Sequence, residues 1–192
     1  MLFEWRTYHF APGKALAYLE AFRADGLALV TRHLPMLGYW LTECGRLNVL
    51  HHLWVYDDLE HRSARRASLA GDRAWTEGFG PRAFPMIERQ ETLLLTLKAS
   101  SPELDLVVRD ALQVRVAPTG PILAPTWAMM ELADGPTAVG DGVAAWTVVA
   151  GERPGATVTL RRWDSAPKVT DLATRPRSRR ELMRPCSFSP LR

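Results

Sequence analysis

Apolar and aromatic residues crowd the first ten positions. Leu2 to Phe10 reads LFEWRTYHF, a β-favouring run that stops at Ala11-Pro12-Gly13, so the pattern predicts a strand followed by a helix start. Leu16, Leu19, Phe22, Gly26, Leu27, Val30 and Leu34 then recur at steps close to three and four, the spacing of one buried helical face, and Pro35 closes it. Two short runs follow, LGYWLTEC over 37–44 and NVLHHLWVY over 48–56, and the Gly45-Arg46-Leu47 spacer predicts an antiparallel hairpin. Past Asp57-Asp58, residues 59–79 set Leu59, Ala64, Ala67, Leu69 and Ala70 beside His61, Arg62, Arg65 and Arg66, a helix packed on one side and wet on the other. Gly78-Phe79-Gly80-Pro81 ends it, and ETLLLTL over 91–97 supplies a last strand. The order β-α-β-β-α-β is the split arrangement of a ferredoxin-like unit.

The second half repeats the first in register. Ala117-Pro118 matches Ala11-Pro12, and AAWTVVAG over 144–151 matches GYWLTECG over 38–45, both at an offset of 106, which pairs Trp146 with Trp40. One extra hairpin residue then pairs Leu160-Arg161-Arg162-Trp163-Asp164 with Leu53-Trp54-Val55-Tyr56-Asp57, while the stretch from Asp164 to Glu181 is too short for a second helix. Residues 1–98 therefore read as one ferredoxin-like unit, 99–106 as a linker around Ser100, Ser101 and Pro102, and 107–192 as a degenerate copy. An open sheet with helices on one face must cover its other face. The expected fold is α+β, with two ferredoxin-like halves packed sheet to sheet as a pseudo-symmetric barrel within one chain.

Composition narrows the function classes. Of 192 residues, 47% are hydrophobic and 23% charged, which excludes disordered, collagenous and disulfide-scaffold proteins. The net charge of +3 is spread over both halves, so neither is a nucleic-acid-binding block, and no run is apolar enough for a membrane span or a secretory leader. Cys44 and Cys186 form no Cys-x-x-Cys pair, which argues against a metal knuckle and fits a reducing cytoplasm. Five arginines between Arg175 and Arg184 read as a solvated segment in place of the lost helix.

Several fragments together resemble the NIPSNAP family: LFEWRTY, Ala11-Pro12-Gly13-Lys14, His33-Leu34, GYWLTECG, Leu47-Asn48, HLWVYDDLEHR and RQETLLL, over roughly residues 1–97. The ending ELMRPCSFSPLR resembles the closing segment of bacterial members of that family. The resemblance implies a dimeric α+β barrel, a superfamily that includes cofactor-independent monooxygenases, dehydratases and small cyclases. It implies no single reaction.

Alternation divides the first strand into Phe3, Trp5, Thr7 and His9 against Glu4, Arg6, Tyr8 and Phe10, and the third into Val49, His51, Leu53 and Val55 against Leu50, His52, Trp54 and Tyr56. Placing the more aliphatic sides against the helices leaves Glu4, Arg6, Tyr8, His52, Trp54 and Tyr56 to line a cavity between the sheets. The expected catalytic set is His52 as general acid or base, Arg6 holding a carboxylate or enolate, Glu4 orienting Arg6 or His52, and Tyr8 as a donor to an oxyanion. The expected binding set is Trp40 or Thr42, whose inward face the alternation leaves open, with Trp54 and Tyr56, and with Arg161 and Trp163 closing the cavity from the other half. Glu4, Arg6, Tyr8 and His52 find Asp110, Leu112, Val114 and Thr159 in the second copy, so one site per chain is expected. His33 suits a helix C-terminus, and His9 or His51 as a haem ligand is a minor alternative.

The expected function is a cytoplasmic enzyme of bacterial natural-product biosynthesis, acting on a small hydrophobic or aromatic ligand by cofactor-free cyclisation, dehydration or rearrangement. A cofactor-independent monooxygenase and a non-catalytic ligand-binding or adaptor protein are the alternatives. No metal, nucleic acid or membrane partner is expected, and homodimerisation is left open.

Overall fold

The computed structural model describes residues 1–135, 142–172 and 178–192. The N-terminal half follows the sequence pattern. Strand β1 (Leu2–Phe10) leads into α1 (Lys14–Ala21), which passes through a wide π turn (Phe22–Gly26) into α2 (Leu27–Thr31). Gly26 fits here because a Cβ would stand 2.8 Å from the Phe22 ring and 3.0 Å from that of Phe79. The hairpin β2 (Met36–Cys44) and β3 (Val49–Tyr56) precedes α3 (Leu59–Ala70), whose N-terminus is capped by the Asp58 side chain accepting the His61 N–H at 2.8 Å. A π segment (Ala74–Phe79) and the short α4 (Gly80–Ala83) then lead to β4 (Ile87–Ser100).

The stretch expected as a linker is ordered instead. β4 runs to Ser100, and α5 (Pro102–Arg109) starts at once, because Ser101 caps the Leu104 N–H and Pro102 fits the first turn. Leu104 is fully buried against the barrel core.

Four strands make up the second sheet: β5 (Trp127–Ala133), β6 (Ala144–Ala150), β7 (Thr157–Trp163) and β8 (Ser178–Pro185). All eight close into one barrel in the order β1-β3-β2-β8-β5-β7-β6-β4, with β2·β8 and β4·β6 as the antiparallel seams. The matched hairpin is present as β6 and β7, but the match of Ala117-Pro118 to Ala11-Pro12 fails. Asp110, Leu112 and Val114 follow α5 outside any strand, with Leu112 and Val114 exposed, and β5 takes the position beside β7 that β1 takes beside β3. Arg179, Arg180 and Arg184 are not a solvated segment. They lie on β8, part-buried, with Arg179 paired to Glu181 and Arg180 to Glu131; Arg175 and Arg177 lie outside the described residues.

The two faces of the first sheet are exchanged relative to the sequence expectation. Phe3, Trp5, Leu53 and Val55 face the barrel interior, where they pack with Trp40, Trp146 and Met183 in a core drawn from both halves. Tyr8, Phe10, Leu50, Trp54 and Tyr56 face the helix layer and pack with Tyr18, Phe22 and Leu69. The interior takes the face that lacks Glu4 and Arg6, and the carboxylate it does hold, Glu181, is paired there with His51, Arg46 and Arg179. The thin helix layer leaves long arginines a route to solvent. Inside, Trp5 stacks on Trp40 with centroids 5.5 Å apart, and Gly38 makes room, since a Cβ there would stand 1.9 Å from the Trp40 ring.

Candidate ligand-binding site

The register of three strands sets Arg6 opposite His52 and His52 opposite Tyr39, forming a row across the outer face of the N-terminal sheet. Under α1 and α3 this row opens onto a small cavity of about 30 Å³, lined by Arg6, Tyr8, Tyr39, His52, Trp54 and Arg66 together with Tyr18 and Trp75. That volume suits one water or one ligand oxygen. An open cleft of about 300 Å³ adjoins it, sharing Arg6, Tyr8, Arg66, Leu69 and Trp75 and adding Phe84 and Gln90. The expected inter-sheet cavity is therefore corrected to a sheet–helix one, and four of the expected residues, Arg6, Tyr8, His52 and Trp54, line it together.

His52 is the centre of this row. It is buried, stacked on Tyr39 at 4.8 Å and edge-on to Tyr8 at 4.5 Å. Burial, reinforced by the charges of Arg6 and Arg66, holds its pKa well below the ordinary histidine value, so the ring is neutral. The Trp54 indole N–H donates to Nδ1 at 2.6 Å, and an indole nitrogen only donates, so Nδ1 is the acceptor nitrogen and the proton sits on Nε2. That Nε2–H is buried and has no hydrogen-bond partner among the described residues. Of the two expected roles, general acid or base, the tautomer does not suit the base: the nitrogen on the cavity side carries a hydrogen and donates.

Glu4 anchors the arginines beside it. Its carboxylate accepts from Arg62 at 2.6 Å, from Arg66, from Arg6 at 3.3 Å and from the Tyr56 hydroxyl at 3.4 Å. Burial would raise its pKa, but Arg62, Arg66 and Arg6 outweigh this and hold it below the usual carboxylate value. Arg6 extends its other Nη to Gln90 at 2.8 Å, and the Nε atoms of Arg6 and Arg66 are buried without partners. Glu4 and Tyr56 thus support the site from beneath and do not line it. Burial also pushes the Tyr18 and Tyr39 hydroxyls up, keeping both protonated.

The remaining expected residues lie elsewhere. Trp40 and Thr42 point into the barrel, Thr42 donating to Glu181 at 3.1 Å. Arg161 and Trp163 sit on β7 opposite Met129 and Trp127 and do not line the cavity. His33 ties α2 to α3, with Ser68 at 2.9 Å and Asp72 at 3.0 Å on its two ring nitrogens. His51 is unsuited to haem, since Trp5 donates to Nδ1 at 3.0 Å and Nε2 lies 2.7 Å from Glu181. His9 lies 3.0 Å from Glu91. Among the described residues no group of three or more His, Cys, Asp or Glu side chains is placed to hold a metal ion. Sequence reasoning missed Arg66 and Tyr39. Arg62 and Arg66, four apart on a helix poor in large apolar residues, were the available signal that arginines, not leucines, meet the sheet.

The NIPSNAP family model matches residues 3–102, just over half of the chain. The chain belongs to the NIPSNAP family. NipSnap homolog 3B of Mus musculus is 41% identical over 90 residues, covering 46% of this chain and 36% of that protein. NipSnap homolog 3A of Homo sapiens is 37% identical over 93 residues, covering 48% and 37%. The matched segment thus spans little more than a third of those curated NIPSNAP relatives. An uncharacterized NIPSNAP domain protein from Burkholderia xenovorans aligns at 38% identity with a TM-score of 0.50, over 53% of this chain and 99% of its own. A putative monooxygenase from Fusobacterium nucleatum aligns over 98% of this chain and 93% of its own, with a TM-score of 0.56 at 9% identity, a likeness of fold alone.

These relatives correct the functional expectation. They are NipSnap proteins and NIPSNAP structures, one from Agrobacterium tumefaciens being of unknown function, and they give no support to a natural-product biosynthetic enzyme performing cyclisation, dehydration or rearrangement. No helix among the described residues is long and apolar enough to cross a membrane.

Proposed function

We propose that this NIPSNAP protein binds a small, planar molecule in the cleft between α3 and the N-terminal sheet, seating an acceptor oxygen of that molecule against His52 Nε2–H. The observation that carries the reading is the unpaired donor itself. A buried N–H without a partner costs roughly 1–3 kcal/mol, and a ligand oxygen entering the 30 Å³ cavity removes that cost. Tyr8, Trp54 and Trp75 supply flat apolar walls, the usual complement to a few directed polar groups in small-molecule sites.

An enzymatic role is proposed on the same geometry. A neutral imidazole donor beside guanidinium groups stabilises negative charge that builds on a carbonyl oxygen, as oxyanion-directed donors do. The partner strand order of the second sheet, β8-β5-β7-β6 against β4-β1-β3-β2, supports a further proposal, that the C-terminal half descends from a second ferredoxin-like copy that lost its helices. Two free cysteines, Cys44 exposed and Cys186 buried, support placement in a reducing compartment such as the cytoplasm.

The test is ¹⁵N NMR of the His52 ring in the full chain, titrated with planar aromatic ketones and carboxylates while tryptophan fluorescence is recorded. The expected result is an Nε2–H tautomer whose resonance shifts saturably with ligand, and a loss of affinity of about tenfold in His52→Gln, equivalent to about 1.4 kcal/mol. Saturable binding that leaves His52 unperturbed would overturn the site.

A further inference from the structure

Charge in the cluster beside the cavity does not balance. Arg6, Arg62 and Arg66 each pair with Glu4, and among the described residues none of the three pairs with a second carboxylate. Three cations share one anion, leaving an excess of two positive charges in a cluster where no side chain is more than 26% exposed. Glu88, on the same face of β4 as Gln90, is exposed and forms no ion pair with them. Two of these arginines, Arg6 and Arg66, line both the small cavity and the open cleft, and their buried Nε–H groups lack partners among the described residues. Adding His52 Nε2–H, the unpaired polar atoms around this cavity are all donors. A neutral ligand would satisfy hydrogen bonds there and leave the field uncompensated; an anion does both.

We infer that the ligand is an anion of the planar aromatic carboxylate class, with one oxygen on His52 Nε2–H and the second facing Arg6 and Arg66. This rests on the proposed site and deepens it. The small cavity has room for one oxygen and His52 offers one donor, which suits the two-oxygen edge of a carboxylate better than the three-oxygen head of a phosphate ester. Protonation of His52, already opposed by burial and by Arg6 and Arg66, is not needed for this grip, because the positive charge comes from the arginines.

The experiment is calorimetric titration of the full chain at pH 7.5 with benzoate, 2-naphthoate and 4-hydroxyphenylacetate, each beside its own primary amide, with His52 followed by NMR. The expected result is at least one acid binding tenfold or more tightly than its amide, with the difference shrinking in 0.5 M salt. Arg66→Gln is expected to shrink the difference between acid and amide to less than threefold. Arg66→Lys, which keeps the charge and guards against a folding artefact, is expected to retain most of it. Amides binding as tightly as their acids would overturn the anion inference and leave the site standing. Absence of saturable binding and of any His52 shift across the whole series would overturn both.

Discussion

His51 and His52 are neighbours on one strand, and both are buried, yet they live in different chemistry. Each accepts an indole N–H on Nδ1, from Trp5 inside the barrel and from Trp54 under the helices, so each carries its proton on Nε2. His51 delivers that proton to Glu181, which also holds Thr42, Arg46 and Arg179; burial would raise the Glu181 pKa, but these partners bring it down to about 2. His52 points its proton into the cavity under the helices, where no side chain among the described residues accepts it. The same side chain in the same tautomer is thus a closed structural joint on one face of β3 and an open donor on the other. A buried histidine satisfied on both nitrogens stabilises the fold, whereas one whose second nitrogen meets no protein acceptor keeps a donor available.

The comparison is broken most severely at Glu181. Glu181→Ala leaves His51 Nε2 as unpartnered as His52 Nε2 and takes the buried carboxylate from Arg46 and Arg179, which keep only Glu91 and Glu152 among the described residues, with an expected loss of about 3 kcal/mol in urea unfolding. Ligand binding at His52 should survive in the folded fraction; loss of binding without loss of stability would show that the two faces are not independent.

Acid sharpens the contrast. Burial lowers the pKa of both rings from 6.5, and for His52 by more, because Glu181 partly offsets the effect at His51. Below pH 6.5 the unfolded chain therefore takes up protons that the native chain refuses, so stability falls as pH falls, at up to about 1.4 kcal/mol per pH unit for each such group. Denaturant titrations between pH 7 and pH 5 are expected to show a slope that His52→Gln flattens more than His51→Gln. Equal flattening would remove the electrostatic distinction between the two sites.

The smallest expected effect tests the tautomer. Trp54→Phe removes the donor to Nδ1 and lets His52 sample its other tautomer, visible by ¹⁵N NMR, with a ligand affinity lower by about twofold to fivefold, under about 1 kcal/mol. Trp5→Phe is expected to leave His52 unchanged.

Much of this architecture was written locally in the chain. The aromatic alternation of LFEWRTYHF, the period of the first helix and the glycine-bearing hairpin led to β1, α1–α2 and β2–β3 as they stand. Alternation also grouped Glu4, Arg6, Tyr8, His52, Trp54 and Tyr56 correctly as one face. It did not say which layer covers that face, because this depends on how an enclosed barrel compares with an arginine-bearing helix, a matter of tertiary context. β5 was missed for a related reason: WAMMELA carries Glu131 among apolar residues, and nothing nearby shows that Arg180 from β8 will pair with it. The helix α5 had a legible signal, Ser101-Pro102 followed by Leu104, Val107 and Val108, which the small polar residues around it obscured. The tautomer of His52 was invisible in sequence, since it rests on a hydrogen bond between residues two apart on one strand face.

Closure of all eight strands within a single chain also changes how this barrel can vary. In a barrel assembled from two separate identical chains, stability depends on concentration, and every substitution appears twice, once in each sheet. Here the seams β2·β8 and β4·β6 join strands of different sequence on one polypeptide. A substitution is made once, and dilution cannot part the halves. One sheet is thereby free to keep its helices and its donor-lined cleft, while the other serves as the wall that keeps Trp5, Trp40 and Trp146 dry.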